Sequence, residues 1–300
     1  MNGVSPAYAG KARAETESAG LGVIRGVEWT TFFGHILCLY DGAGEAADWR
    51  KFKKENFDGF AEAAREKGAV LIAAHPRRLG TPVGTGCRFE YNESCFKYFS
   101  AFEVWSQNEP NDSPANRLAV KMYDGLLCKG YKLAAVYGYD WHKPLSDAKL
   151  FANTYIGAEN ASPEALKDGL RRGDAYAALG ISAELYADGE RTPFGAEIER
   201  GIRTFELKIG GGLCPCPAEP RIFRAKGTAV CRMEKASVGA YNAFYGADKH
   251  GKPETACGVN AADFKVGEKS VFEVQSGWLR FEIFGADGKP LLSASPIYVK

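Results

Sequence analysis

Residues 69–76 read AVLIAAHP, an apolar run that follows Gly68 and ends at a histidine and a proline. A continuous apolar run of this length is typical of a strand buried on both faces of a parallel sheet. Helical patterns with start and stop signals lie on both sides of it, over residues 56–67, 113–129 and 162–172. The alternation of strand and helix predicts a parallel β/α domain over residues 1–178.

The second part of the chain has a different pattern. The first part has strand-like segments at residues 21–27, 35–40, 69–74, 102–105, 133–137 and 153–156. From Ser182 onward, short alternating runs are separated by turn signals such as Asp188-Gly189 and Asp287-Gly288, and we expect no long helix. The pattern predicts an antiparallel β-sandwich over residues 179–300, following the α/β domain.

Composition excludes several classes of partner. The 300 residues carry 38 Lys+Arg against 37 Asp+Glu, so no basic excess favours nucleic acid. No apolar run approaches the roughly 20 residues that cross a bilayer. The first 20 residues are small and polar, unlike a signal peptide, so we expect a cytoplasmic protein. We separately expect its partner to be a small-molecule substrate. We expect most of the eight cysteines to be buried thiols; Cys214 and Cys216 could bind a metal, but a rigid loop is the favoured interpretation.

Polar residues with metal-binding chemistry follow several predicted strands. They are Glu28, His35, His75, Asp140 and His142. In β/α architectures, the carboxyl ends of strands gather reactive side chains. Glutamate, histidine and aspartate together form a ligand set for zinc, manganese or iron. In an extended segment, Asp140 and His142 point to the same side, so both could reach one ion.

Each candidate also has a structural explanation. A histidine such as His35 is commonly hydrogen-bonded inside a protein, and His75 before a proline could simply close a strand. An Asp-x-His segment can form a turn with a local hydrogen bond. Their joint placement favours the metal site. Arg77, Arg78 and Lys143 adjoin these candidates and could bind an anionic substrate or be solvated surface charges.

Four of these segments resemble one family. They are IRGVEWTTFFGHILCLY, GAVLIAAHPRR, FEVWSQ and YGYDWHKP, in that order along the chain. Together they are similar to motifs of the polymerase and histidinol phosphatase (PHP) superfamily. The later segments TYIGAENASPEALKDGLRRGDAYAA and SASPIYVK resemble its carbaryl-hydrolase-like (CehA/McbA-type) branch. The resemblance extends over most of the chain.

The resemblance implies a distorted (β/α) barrel whose two or three divalent ions support hydrolysis of phosphoesters or other esters. It implies metal and catalytic roles for Glu28, His75, Asp140 and His142, with His35 as a further ligand. Among the basic residues beside these ligands, we single out Arg77 and Lys143 as candidates for substrate binding because of their charge and position.

Two departures from the family pattern are clear. No His-x-His or Thr-Asp-His motif precedes His35, so we expect the chain to begin inside the domain, with an incomplete barrel and a partial ligand set. Tyr139 stands where the family has serine. The alternative hypothesis is a catalytically inactive PHP-like scaffold whose β-sandwich binds a ligand or partner. Its candidate contacts, which could equally be core residues, are Tyr241, Phe244, Tyr245 and Trp278.

Overall fold

A computed structural model gives the fold of the chain. It describes residues 23–40, 47–80, 86–107, 110–140, 152–211, 226–233, 259–264, 266–274, 276–285 and 287–300. For residues 226–233 and 259–263 only the backbone is described.

The α-helices of the described segments match the predicted ones closely. They are α1 Phe57–Glu66, α2 Pro114–Cys128 and α3 Pro163–Arg172. Short 3-10 helices occupy Trp49–Lys51, Glu93–Tyr98 and Pro110–Asp112. The hydroxyl of Ser162 accepts a hydrogen bond from the amide of Ala165 and caps α3. Gly173 then ends the helix in the left-handed conformation at φ 78°.

The described strands are numbered in chain order. They are β1 Gly26–Thr31, β2 Gly34–Leu39, β3 Val70–Ala74, β4 Ala101–Ser106, β5 Ala134–Gly138, β6 Asn153–Ile156, β7 Ala175–Ala178, β8 Ile181–Ala187, β9 Glu190–Arg191, β10 Glu197–Ile198, β11 Gly201–Gly211, β12 Lys226–Met233, β13 Val259–Phe264, β14 Ser270–Val274, β15 Gly277–Phe284, β16 Pro290–Ala294 and β17 Ile297–Val299.

A five-stranded sheet in the order β1-β2-β3-β4-β5 occupies the first part of the chain. β1 and β2 form an antiparallel hairpin, and β2 is also antiparallel to β3. Only β3, β4 and β5 run parallel, so the predicted parallel arrangement holds for these three strands and not for the hairpin. Among the described strands there is no closed barrel.

The first strand begins later than the sequence pattern predicts. The apolar run at residues 21–27 suggested a strand that ends before Glu28, whereas β1 begins at Gly26 and contains Glu28. The hairpin explains the difference, because pairing across the Phe32–Phe33 turn extends β1 to Thr31. Glu28 therefore lies on the sheet surface rather than in a loop.

Two further sheets contain the remaining strands. One joins β10-β17-β15-β16-β7-β6, with β12 and β13 added beside β15, and the other has the order β14-β11-β8-β9. As the alternating pattern predicts, all pairings in these sheets are antiparallel except that of β10 with β17. Asp188 and Gly189, both with positive φ, form the predicted hairpin turn. Because β6 and β7 share a sheet with β15–β17, strands from both sides of the boundary predicted after residue 178 are paired.

Both faces of the five-stranded sheet are covered. On one face, the rings of Trp29 and Phe52 lie 4.9 Å apart, and Phe102 contacts Tyr123 of α2. On the other, Ile72 and Val136 pack with Leu170 of α3. Apolar burial on both faces explains why β3 is a continuous apolar run rather than an alternating one.

A buried ion network links α2 to the large antiparallel sheet. The guanidinium of Arg280 on β15 is fully buried and donates to both carboxylate oxygens of Asp124, at 2.6 and 2.9 Å. It also donates to Glu282 at 2.8 Å, and Ser293 lies 3.4 Å away. We call Arg280, Asp124 and Glu282 the Arg280 cluster. Its charged groups lie almost entirely out of water and are joined by direct hydrogen bonds, with two carboxylates sharing one guanidinium.

None of the helices in the described residues is long and apolar enough to span a membrane. The side chains of Cys38, Cys87, Cys95 and Cys128 are buried, as predicted. Cys214 and Cys216 lie outside the described residues.

Candidate metal centre

Sheet register brings three of the predicted ligands together. His35, the second residue of β2, is paired with Thr30 on β1 and with Ala74 on β3. Paired residues point to the same face of a sheet, so Glu28, two positions before Thr30, shares the face of His35. His75 follows β3 directly. One antiparallel hairpin beside one parallel strand is thus enough to assemble these side chains.

The three side chains converge on one carboxylate oxygen. Oε1 of Glu28 lies 2.9 Å from Nδ1 of His35 and 3.2 Å from Nε2 of His75. The two imidazole rings meet edge to face with centroids 4.9 Å apart. The potential ligand atoms of the three residues all lie within 4.8 Å of one another. We call Glu28, His35 and His75 the metal triad.

The triad has a distinctive electrostatic character. Burial alone would raise the pKa of Glu28, but the hydrogen bonds and charges of the two histidines outweigh it and lower that pKa to about 2. Burial alone would lower the pKa of His75, yet its bond to Glu28 and the charges of Glu103, Glu28 and Asp140 raise it. Glu28 is therefore an ionised ligand over the whole physiological pH range.

The carboxyl group of Glu103 holds the backbone of His75, one member of the triad. Glu103 on β4 is buried, and its Oε2 accepts the backbone N–H of His75 at 2.6 Å. Burial, only partly offset by the charge of His75, raises the pKa of Glu103 to about 7. A Cβ atom at Gly138 on β5 would collide with this carboxyl group, so the glycine is required for the close approach.

Backbone strain is concentrated at the ends of the parallel strands. Outside glycine, positive φ in the described residues occurs at four positions, of which Asp188 belongs to a hairpin turn. The other three are His75 after β3, Gln107 after β4 and Asp140 after β5, with φ of 28°, 65° and 51°. Such conformations cost free energy and often occur at functional sites.

Asp140 lies beside the triad without joining it. Its charge acts on His75, but its carboxylate is not among the atoms that lie within 4.8 Å of one another. Oδ2 of Asp140 instead accepts a hydrogen bond from Arg78, and Nε2 of Gln107 lies 3.3 Å from the same oxygen. The hydroxyl of Tyr137 donates to the backbone oxygen of Gln107 and holds that residue in place.

The two predicted substrate-binding residues have different outcomes. Arg77 forms an isolated backbone bridge with Arg88, and burial together with the charge of Arg88 lowers its pKa. Side chains alternate sides along an extended segment, so Arg78 and Cys87 point to the side opposite that of Arg77 and Arg88. That side faces Asp140 and the triad. His142 and Lys143 lie outside the described residues. Tyr241, Phe244 and Tyr245 also lie outside them, and Trp278 is buried.

The triad fits a divalent ion by chemistry and spacing. Two ligand atoms about 2.1 Å from a tetrahedral ion are separated by about 3.4 Å, near the 2.9 and 3.2 Å found around Glu28. Two imidazoles and a carboxylate suit zinc, manganese or iron. Nδ1 of His75 is buried and has no hydrogen-bond partner among the described residues. Such an orphaned polar atom is costly, and Nε1 of Trp29 and Nε1 of Trp278 are orphaned in the same way.

Sequence reasoning missed two residues of this region. Glu103 is the charged residue inside the apolar strand AFEVWS, and a carboxyl group in such a run is a signal for a buried polar role. Gln107 follows the same strand closely, in the position where ligands were sought after the other strands. Its proximity to Asp140 depends on the parallel pairing of β4 with β5.

No protein-family model, curated protein or solved structure matches this chain.

Proposed function

We propose that this chain is a metal-dependent hydrolase of the PHP superfamily, similar to its CehA/McbA-type branch, that cleaves a small phosphorylated or ester substrate. The observation that supports it is the convergence of His35 and His75 on one carboxylate oxygen of Glu28, at 2.9 and 3.2 Å. A carboxylate between two imidazoles at a strand edge is a common arrangement for a hydrolytic metal site.

The chemistry divides between the ion and the chain. A divalent ion bound here would supply Lewis acidity and lower the pKa of a water molecule. Glu28 remains ionised because both histidines stabilise its charge. Glu103 holds the backbone of His75, and thereby orients its imidazole toward Glu28. Arg78, one third exposed beside the triad, adds positive charge where an anionic substrate would approach.

The proposal includes the remaining residues and the fold implied by the resemblance. Asp140 and His142 would belong to the same centre, and Arg77 and Lys143 would contact substrate. The five-stranded sheet would be part of a distorted PHP-type barrel. The sheets that contain β8 and β15 would form a β-sandwich, which is supported by the 5.9 Å separation of the rings of Phe205 and Phe281.

Metal content and hydrolysis test this function together. The full chain, stripped with a chelator, is reloaded with zinc, manganese or ferrous iron and assayed with a chromogenic phosphodiester. We expect bound metal and metal-dependent hydrolysis, and loss of both in Glu28→Gln, which keeps the shape but removes the charge. Glu62→Gln, on the exposed face of α1, is the matched control. Failure of the wild-type chain to bind any of the three ions would refute the proposal, and binding without hydrolysis would favour the inactive scaffold.

A further inference from the structure

The guanidinium group of Arg78 forms an ion pair with the carboxylate of Asp140, which lies beside the metal triad. Nη1 of Arg78 contacts Oδ2 of Asp140, and Gln107 offers its amide to the same oxygen at 3.3 Å. The Asp140 side chain is only 8% exposed, whereas that of Arg78 is 34% exposed. This contact therefore joins a nearly buried carboxylate to a cation that still reaches solvent.

The Arg78–Asp140 pair and the triad form one electrostatic neighbourhood. The charge of Asp140 acts on His75 and on Glu103. The thiol of Cys87 is influenced by Arg78, Asp140 and Glu28 together. A cation placed at the carboxylate of Glu28 or of Asp140 therefore changes the electrostatic potential at the other carboxylate, because partly buried charges are weakly screened.

Charge balance limits how many ions this region can bind. Three carboxyl groups belong to this region: Glu28, Asp140 and Glu103, of which Arg78 neutralises Asp140 and Glu103 accepts the backbone N–H of His75. One divalent ion offsets the charge of Glu28 and also that of an ionised Glu103. A second ion would add two positive charges beside Arg78 in a partly buried place, where unmatched charge is costly. It would also have to displace the hydrogen bond that Arg78 makes with Asp140.

We infer that the guanidinium of Arg78 takes the place of a second metal ion beside Asp140, so that this centre binds a single divalent ion at Glu28, His35 and His75. The inference rests on the proposed function. It departs from the two or three ions that the family resemblance implies, and it gives Asp140 the role of an anchor for Arg78.

Ion stoichiometry of the wild-type full chain is the first test. Metal-free protein is titrated with manganese or zinc by calorimetry, and bound metal is counted by mass spectrometry after dialysis. One ion per chain is the expected result. Two or more ions would overturn the inference while leaving the proposed hydrolase intact. If no ion binds, the triad is not a metal site, and the proposed function is refuted as well.

Substitution of Arg78 is the second test. Arg78→Met keeps an unbranched stem and removes the guanidinium with its charge, so a second, weaker ion should bind and raise the stoichiometry toward two. Adding Asp140→Asn should return it to one. Arg88→Met is the matched control, since the bridge with Arg77 directs Arg88 away from Asp140, and it should stay at one. A folded Arg78→Met protein that binds only one ion would contradict the role of Arg78; the wild-type count remains decisive if that variant does not fold.

Discussion

The metal triad is half-buried and the Arg280 cluster is buried, and these two groups of ionisable side chains differ in how completely their polar atoms are hydrogen-bonded. In the Arg280 cluster, one guanidinium bonds two carboxylates at 2.6 to 2.9 Å, and all three side chains are almost completely removed from water. In the triad, two histidines share a single oxygen of Glu28, and Nδ1 of His75 has no hydrogen-bond partner among the described residues.

Their backbones differ as well. Asp124 lies within α2, and Arg280 and Glu282 lie within β15, all in regular secondary structure. His75 and the neighbouring Asp140 have positive φ at strand ends. A cluster that is fully bonded on an unstrained backbone is explained by its role in packing one element on another. The triad lies partly on a strained backbone and lacks that explanation, and a bound ion would provide one.

The largest effect is expected at the Arg280 cluster. Asp124→Ala removes the bidentate partner of Arg280 and leaves a buried guanidinium with less compensation. The free energy of unfolding should fall by about 3–5 kcal/mol, measured by urea denaturation. The folded fraction should still bind metal. A loss below about 1 kcal/mol would mean that this cluster is not the tightly coupled structural element described above.

The pH dependence of the free energy of unfolding should reveal the raised pKa of Glu103. Its pKa is about 7 in the folded protein and near 4.5 without burial, so the folded state retains a proton that the unfolded chain releases. The free energy of unfolding of the metal-free protein should therefore fall as pH rises from about 4.5 to about 7, by up to about 3 kcal/mol.

Glu103→Gln should remove this decline, because the amide does not titrate and its oxygen can still accept the N–H of His75. Denaturation curves of the two proteins at pH 5 and pH 8 give the comparison. Equal pH slopes would show that Glu103 does not carry the shift.

Metal addition should stabilise the protein only through the triad. An ion at 100 times its dissociation constant should raise the free energy of unfolding by about 2.7 kcal/mol, which thermal denaturation with and without chelator can detect. His35→Ala should lose this gain. Asp124→Ala should keep it if the comparison between the two clusters is correct, and a loss of the gain in both variants would show that they are coupled.

The smallest effect is expected for an exposed ion pair that, like the Arg280 cluster, joins the first part of the chain to the last strands. Lys289 lies 2.7 Å from Asp112, and both side chains are largely in water. Asp112→Ala should change the free energy of unfolding by less than about 1 kcal/mol in the same urea assay. A cost comparable to that of Asp124→Ala would mean that burial is not what distinguishes the Arg280 cluster.

Local patterns predicted the regular elements well. The helix over residues 162–172 was recognisable from Ser162, Pro163 and Gly173, because these residues satisfy or end the backbone hydrogen bonds of a helix wherever it packs. The strand over residues 69–74 followed from its apolar run. The first strand was misplaced, since its limits depend on pairing with β2 and not on its own composition.

The candidate site was predictable in part. Glu28, His35 and His75 were recognisable as ligand types near strand ends, and the structure brings them together. The pairing of Asp140 with Arg78 was not predictable, because a carboxylate after a strand has the same local sequence whether it faces an ion or a guanidinium. Glu103 was overlooked because its partner is a backbone amide 28 residues away.

The amino-acid sequence alone determined the helices, the buried central strand and the chemical types available at the sheet edge, since these depend on side-chain periodicity and on neighbours along the chain. Tertiary structure alone decided which of those side chains meet. The antiparallel register of β1, β2 and β3 puts Glu28 between two histidines, and the ends of β3 and β5 put Arg78 against Asp140. Distances between strands depend on hydrogen-bond register, which no single segment of the chain contains.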